Sequence, residues 1–181
     1  MPARRSAAEP ARPRRIGYLK AGFEAERQDA TWAANDQDTL RALEAAGFEL
    51  VPVALPDVPT ESMDFILTVE AAAAFDELTR TNRDDVLVRQ TADAWPNRFR
   101  QARIVPAVEY VRANRVRTLA MRGMDRLFRD AGIELFVAPS LVGETLGLTN
   151  LTGHPALVVP NGSNERGSPT SITLVGDLFA E

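Results

Sequence analysis

The chain opens its ordered pattern with Arg15-Ile16-Gly17-Tyr18-Leu19, a short run of strand character. A polar loop follows, and Asn35 then stands where a helix cap would, with Asp36 and Asp38 behind it to favour a first turn. Leu40 and Leu43 give that helix an apolar edge. Gly47 after Ala46 supplies a left-handed stop, and Phe48 to Val53 reads as strand again. From Glu61 to Arg80 the residues Met63, Leu67, Ala71, Ala74 and Leu78 recur three or four positions apart, which predicts a second helix with that stripe inward. Between Thr81 and Ala102 the period weakens, and this stretch, with Trp95-Pro96, is expected to carry short helical turns and loops.

The longest periodic run starts at Pro106, a permitted first-turn proline, and reaches Ala131. It predicts a helix with Val108, Val111, Val116, Leu119, Ala120, Met124, Leu127, Phe128 and Ala131 inward. Its other face carries Arg112, Arg115, Arg122, Arg126 and Arg129, with Asp125–Arg129 and Arg126–Asp130 spaced for local pairs. Ala45-Ala46-Gly47-Phe48-Glu49-Leu50-Val51 and Asp130-Ala131-Gly132-Ile133-Glu134-Leu135-Phe136-Val137 share one plan of helix, glycine stop and buried strand. Two more strands are expected at Ala156–Val159 and Ser171–Val175. Five strands and three main helices make an α/β fold, a mixed sheet with flanking helices. The last residues, Leu174 to Glu181, read as if a further helix should start, which is taken as a sign of truncation.

Composition narrows the picture. The 181 residues are 45% hydrophobic and 25% charged, enough for a packed core, and there is no cysteine, so disulfides, thiolate nucleophiles and Cys-based zinc sites are excluded. Basic residues number 21 and acidic 25, but six of the basic ones fall within Met1–Lys20, so the body is acidic and a nucleic-acid footprint is disfavoured. Residues 1–14, rich in Pro, Ala and Arg, are expected to form a disordered basic arm, with residues 15–181 as the folded portion. No apolar stretch is long enough for a membrane span and no secretory core is present, so a cytoplasmic location is expected.

Candidate chemistry is sparse. The nucleophile-elbow, dinucleotide and Walker patterns are absent, and His154, the only histidine, sits between Gly153 and Pro155 in what reads as a structural turn. Asp84 and Asp85 read as surface charges, and no metal site or cofactor is expected. The densest signal is Leu148 to Gly162, where small polar residues and a Gly-x-Pro turn feed an apolar strand. That suits a ligand at a strand mouth, and equally a turn whose Asn and Thr satisfy their own backbone.

The order of four blocks is similar to the C-terminal part of the amidase signature family. They are Arg15–Leu19, Pro106–Arg117, Leu135–Ser140 and Asn150–Gly162, with Pro169–Gly176 resembling the strand that follows. The resemblance implies amide hydrolysis or transfer through a serine nucleophile, a second serine in a cis peptide, and a lysine relay, all in an upstream Gly-Gly-Ser-Ser-Gly type segment. No two serines are adjacent here, and the only lysine, Lys20, lies in the later block, so no catalytic residue is carried over. What the resemblance implies for this chain is part of a substrate wall. Asn150, Thr152 and Gly153 fall in the matching turn and Arg103 lies before the matching helix. Glu144, the acid nearest that turn, departs from the spacing the amidotransferase branch uses for an amino-acid substrate. The expectation is an incomplete part of the amidase signature fold, inactive alone, whose small amide substrate is handled with a separate chain carrying the catalytic half. Exposed strand edges would favour a homo-oligomer. The alternative is a non-catalytic ligand- or partner-binding module.

Overall fold

The computed structural model describes residues 14–27 and 29–179, so the expected arm lies outside the described residues except for Arg14. The chain divides into two compact units, one of residues up to 55 with 125–149 and 153 onward, the other of residues 56–124 and 150–152.

The first unit is a five-stranded mixed sheet. Its strands are β1 (Arg15–Leu19), β2 (Glu49–Val53), β3 (Leu135–Pro139), β4 (Ala156–Ser163) and β5 (Pro169–Gly176). Their order is β2-β1-β3-β5-β4, with β1 parallel to β2 and β3, and β5 antiparallel to β3 and β4. The expected α/β sheet is thus present. Helices α1 (Lys20–Glu24) and α2 (Ala30–Ala45) occupy the connection from β1 to β2. On one face Ile16, Val137 and Ile172 form a buried cluster that takes Leu40 and Leu43 of α2 against it. Phe136, Ala138 and Val175 point to the opposite face and are fully buried. On that face Gly17 lies so close to its neighbours that a Cβ there would fall 2.7 Å from Phe136 Cβ and 2.5 Å from Ile133 Cδ1, so glycine is the residue that lets β1 and β3 pair.

The start of α2 differs from the sequence expectation. Asp29, not Asn35, is the cap, its carboxylate accepting from Trp32 N at 3.1 Å. The run Ala30–Ala34 extends the helix upstream because alanines cost least to add, and Asn35 is left in mid-helix. There its amide donates to Thr170 Oγ1 at 2.9 Å and to the Ser163 carbonyl.

The second unit is helical. The single helix expected over Glu61–Arg80 is a 3-10 turn (Thr60–Met63) followed by α3 (Asp64–Ala74) and α4 (Asp76–Arg80), broken where Phe75 leaves helical geometry. Met63, Ile66 and Ala72 are the buried positions, while Leu67 of the expected stripe is 61% exposed. The weakly periodic stretch holds a 3-10 turn (Arg83–Val86) and α5 (Trp95–Ala102), with proline in its first turn. Phe99 packs between Phe75 and Trp95, with ring centroids 5.6 and 5.5 Å away. Asp84, expected at the surface, is fully buried beneath that turn with Arg100 Nη2 2.6 Å from its carboxylate, because a tight turn folds one of two adjacent acids inward.

The long helix α6 spans Ala107–Ala131, close to its expected bounds. Its buried positions are Ala113, Ala120, Met124 and Phe128. Val108, Val111 and Leu119 are at least half exposed, so the expected inward set was too wide: apolar residues lie on opposite sides of the helix and only one side is covered. Asp125 and Arg129 pair as spaced, while Arg126 and Asp130 do not. Finally, α7 (Thr145–Thr152) forms in a stretch that apolar periodicity does not mark as helix.

Candidate functional site

The residues nominated for ligand contact lie mostly around the end of α7. Thr145, Leu148, Thr149 and Thr152 are buried at helical spacing, three of them threonines, so a helical period is present but written in residues of low helix propensity. Gly153 ends the helix in the left-handed region at φ 79°, and its N–H returns to the Thr149 carbonyl. Asn150 is exposed in the last turn and Thr152 is buried. The guanidinium of Arg117 donates to the Leu151 carbonyl, placing a cation at the helix C-terminus where its partial negative charge is concentrated. Glu70 shares Arg117, at 3.4 Å, and also accepts from the Tyr110 hydroxyl at 3.1 Å. Arg103, the fourth nominated residue, directs both terminal nitrogens at Asp76. Its charge is therefore met within the helical unit.

Beyond Gly153, His154 is a buried core residue, in keeping with a structural role. Its ring stacks on Phe128 with centroids 5.5 Å apart and planes 9° from parallel. Burial holds its pKa below the ordinary value, with the negative charge of Asp177 opposing that shift. The unfolded chain takes up a proton near pH 6.5 while the folded ring resists until lower pH, so stability is full above about 6.5 and falls as pH drops through the folded pKa. Urea midpoints measured from pH 7.5 to 5 should decline over that window, and His154→Leu should remove that part of the decline.

A second polar cluster, which sequence reading did not single out, sits at the C-terminal end of β3. Arg27 places Nε and Nη2 at 3.1 and 2.7 Å from Asp36 Oδ2, and Nη1 at 3.0 Å from the Ser140 carbonyl. Its guanidinium lies 4.7 Å from the Trp32 ring centroid. The other Asp36 oxygen accepts from Asn161 Nδ2 at 3.0 Å, and Asn161 Oδ1 accepts from Thr170 at 2.7 Å. Next to them, the hydroxyls of Ser140 and Thr173 share a hydrogen bond of 2.8 Å. Every charge here is matched, which makes the cluster a brace between α2 and the sheet. It floors an open hollow of about 490 Å³ lined by Glu26, Arg27, Asp29, Trp32, Leu141, Val142, Gly143 and Asn164. On its rim, Leu141 adopts φ 62° with its side chain 80% exposed, a conformation that disfavours a side chain.

No serine of the described residues has a base beside it. Lys20 lies 3.7 Å from Glu24, and Ser140, the buried serine, is engaged with Thr173. Among the described residues no group of three or more acidic or histidine side chains is gathered to hold a metal ion. No described helix is long and apolar enough to cross a membrane.

No family model matches the chain. Among curated proteins it is similar to the GatA-type component of the glutamyl-tRNA(Gln) amidotransferase of Chelativorans sp. (strain BNC1), 29% identical over 40% of this chain and 19% of that protein. The corresponding protein of Wolinella succinogenes is 31% identical over 40% of this chain and 20% of that protein. The chain thus spans about one fifth of the length of these relatives. Among solved structures, a bacterial aryl acylamidase of the amidase signature family superposes with a TM-score of 0.69 at 18% identity, over 92% of this chain and 40% of that one. A peptide amidase from Stenotrophomonas maltophilia gives 0.70 at 21% identity, over 93% and 40%. The resemblance suggested by the four sequence blocks is therefore met in both comparisons, and the chain carries the α/β fold of the C-terminal portion of the amidase signature enzymes.

Proposed function

We propose that this chain is the C-terminal portion of an amidase-type hydrolase, which supplies a substrate wall to a separate chain carrying the Ser-cisSer-Lys triad and does not cleave amides alone. One observation carries the reading: the superpositions cover more than nine tenths of this chain but only about two fifths of the solved enzymes. The residues agree with it, because a serine hydroxyl is weakly nucleophilic until a positioned base takes its proton, and no such pair exists among the described residues. In this reading Asn150 and the backbone of Gly153 face a small amide. Thr152 holds the end of α7 from below, and Arg103 acts through its pair with Asp76. No cofactor is required.

The purified chain, assayed for ammonia release from simple aliphatic and aromatic amides, is expected to show none above the uncatalysed rate. Release that is abolished by Ser140→Ala or Lys20→Ala would overturn the proposal. A non-catalytic binding module is the second reading, favoured by the hollow over the Arg27–Asp36 brace. It requires a rise in melting temperature with small amides or carboxylates, and an unchanged temperature would remove it.

A further inference from the structure

We propose that β4 is a pairing edge, and that its occupant is β4 of a second copy of this chain, joined about a two-fold axis through Leu157. The hydrogen-bond pattern sets this out. The Pro155 carbonyl accepts from Gly176 N, and β4 and β5 run in antiparallel register with Leu157 opposite Leu174. In such a ladder bonded and unbonded pairs alternate, so residues 155, 157 and 159 turn their backbone groups to β5, and Ala156 and Val158 turn theirs to the open edge. β4 is the last strand of the sheet among the described residues. It carries no charge from Ala156 to Ser163, and its side chains Leu157 and Val158 are 60% and 58% exposed on opposite faces.

Sheet edges are commonly protected by charge, proline or bulges. Here that protection covers only the far half of the strand, where Pro160 has no N–H to offer the edge and the register shifts between Pro160 and Gly162. The near half is open, and its pattern fits itself. With Leu157 on the axis, Ala156 lies opposite Val158 of the second copy and Val158 opposite its Ala156. All four outward N–H groups then find carbonyls, and the two Leu157 side chains meet on one face. Centring on Val158 would set Ala156 against Pro160, which cannot donate. Centring on Ala156 would set Val158 against His154, whose N–H is already given to the Thr149 carbonyl. One register satisfies every outward donor, and no like charges oppose each other across the axis. The joined Leu157 pair would also cover one side of the open apolar hollow of about 580 Å³ that Leu135, Leu157 and Leu174 line.

Sedimentation equilibrium tests this directly. At about 100 µM, where a micromolar dimer is fully formed, the expected mass is twice the 19.8 kDa of the chain. Leu157→Lys, which places like charges on the axis, and Val158→Pro, which removes two of the four donors, should each give a monomer, while Val158→Thr, which keeps the N–H, should remain dimeric. Hydrogen exchange on the unaltered chain decides the matter even where a variant does not fold: the amides of Ala156 and Val158 should be protected in concentrated solution and exchange freely on dilution. A wild-type monomer throughout, or a dimer in which those two amides exchange freely, would overturn the proposal. So would a dimer that survives Leu157→Lys, and in that case a different surface, or the edge's use by another chain, takes its place.

Discussion

Replacing Asp36 with alanine should lower the stability of the chain by about 3–5 kcal/mol, the cost typical of removing one partner from a buried ion pair. The side chains of Asp36 and Arg27 are only 4% and 10% exposed, so water cannot take the place of the lost carboxylate. Three groups lose their acceptor together: two nitrogens of Arg27 and the amide of Asn161. The guanidinium then remains against Trp32 and the Ser140 carbonyl with its charge unmet. Urea unfolding followed by tryptophan fluorescence reads the change, and Trp32 beneath Arg27 makes the probe local. Replacing both partners with apolar residues, Arg27→Met with Asp36→Leu, should recover most of the loss, since an unpaired buried charge costs more than an absent pair. A single-variant loss below about 1 kcal/mol would mean that solvent reaches the pair and that the brace is not sealed.

Phe128→Ala should be comparably severe, at about 3–5 kcal/mol for deleting a buried phenylalanine. The ring is 2% exposed, packs 5.7 Å from Phe136 and stacks on His154. Removing it leaves a void between the end of α6 and the sheet, and it also opens one side of the imidazole. Two readouts should therefore move together: the melting temperature falls, and the titration of His154 shifts back up toward the ordinary histidine value as burial is relieved. Since His154 is the only histidine, its ring protons report this in a one-dimensional NMR titration. A large loss of stability with the titration unmoved would show that Phe128 supports the sheet without shielding the imidazole.

Local periodicity made much of the fold legible. The glycine stops at Gly47 and Gly132 marked the two helix-to-strand connections, and Pro106 marked where α6 begins. Reading failed where chemistry and period disagreed. α7 is paced by buried threonines, so a count of apolar residues passes over it. On α6 the exposed Val108, Val111 and Leu119 look identical in sequence to buried residues, because a sequence does not say which apolar stripe has a neighbour. The Arg27–Asp36–Asn161 brace lay beyond reach for another reason. Its members are brought together by the closing of the sheet, with Arg27 and Ser140 separated by 113 positions and Asp36 and Asn161 by 125. Of the nominated site, Asn150 to Gly153 were found by local order, whereas the engagement of Arg103 with Asp76 depends on a contact 27 positions away.

The place of β3 in the sheet has a kinetic consequence. β1 and β2 pair within the first 55 residues, but their neighbour on the other side is β3, where Tyr18 meets Val137. During synthesis the two early strands and α2 therefore emerge well before the strand that joins them to β5 and β4. Asp36 must wait in solvent until Asn161 arrives. Contacts of such long sequence separation slow folding, since the closure entropy of the loop comes due before the contacts can offset it. The nascent chain is then a parallel pair with one open side, held in reserve until its last quarter leaves the ribosome.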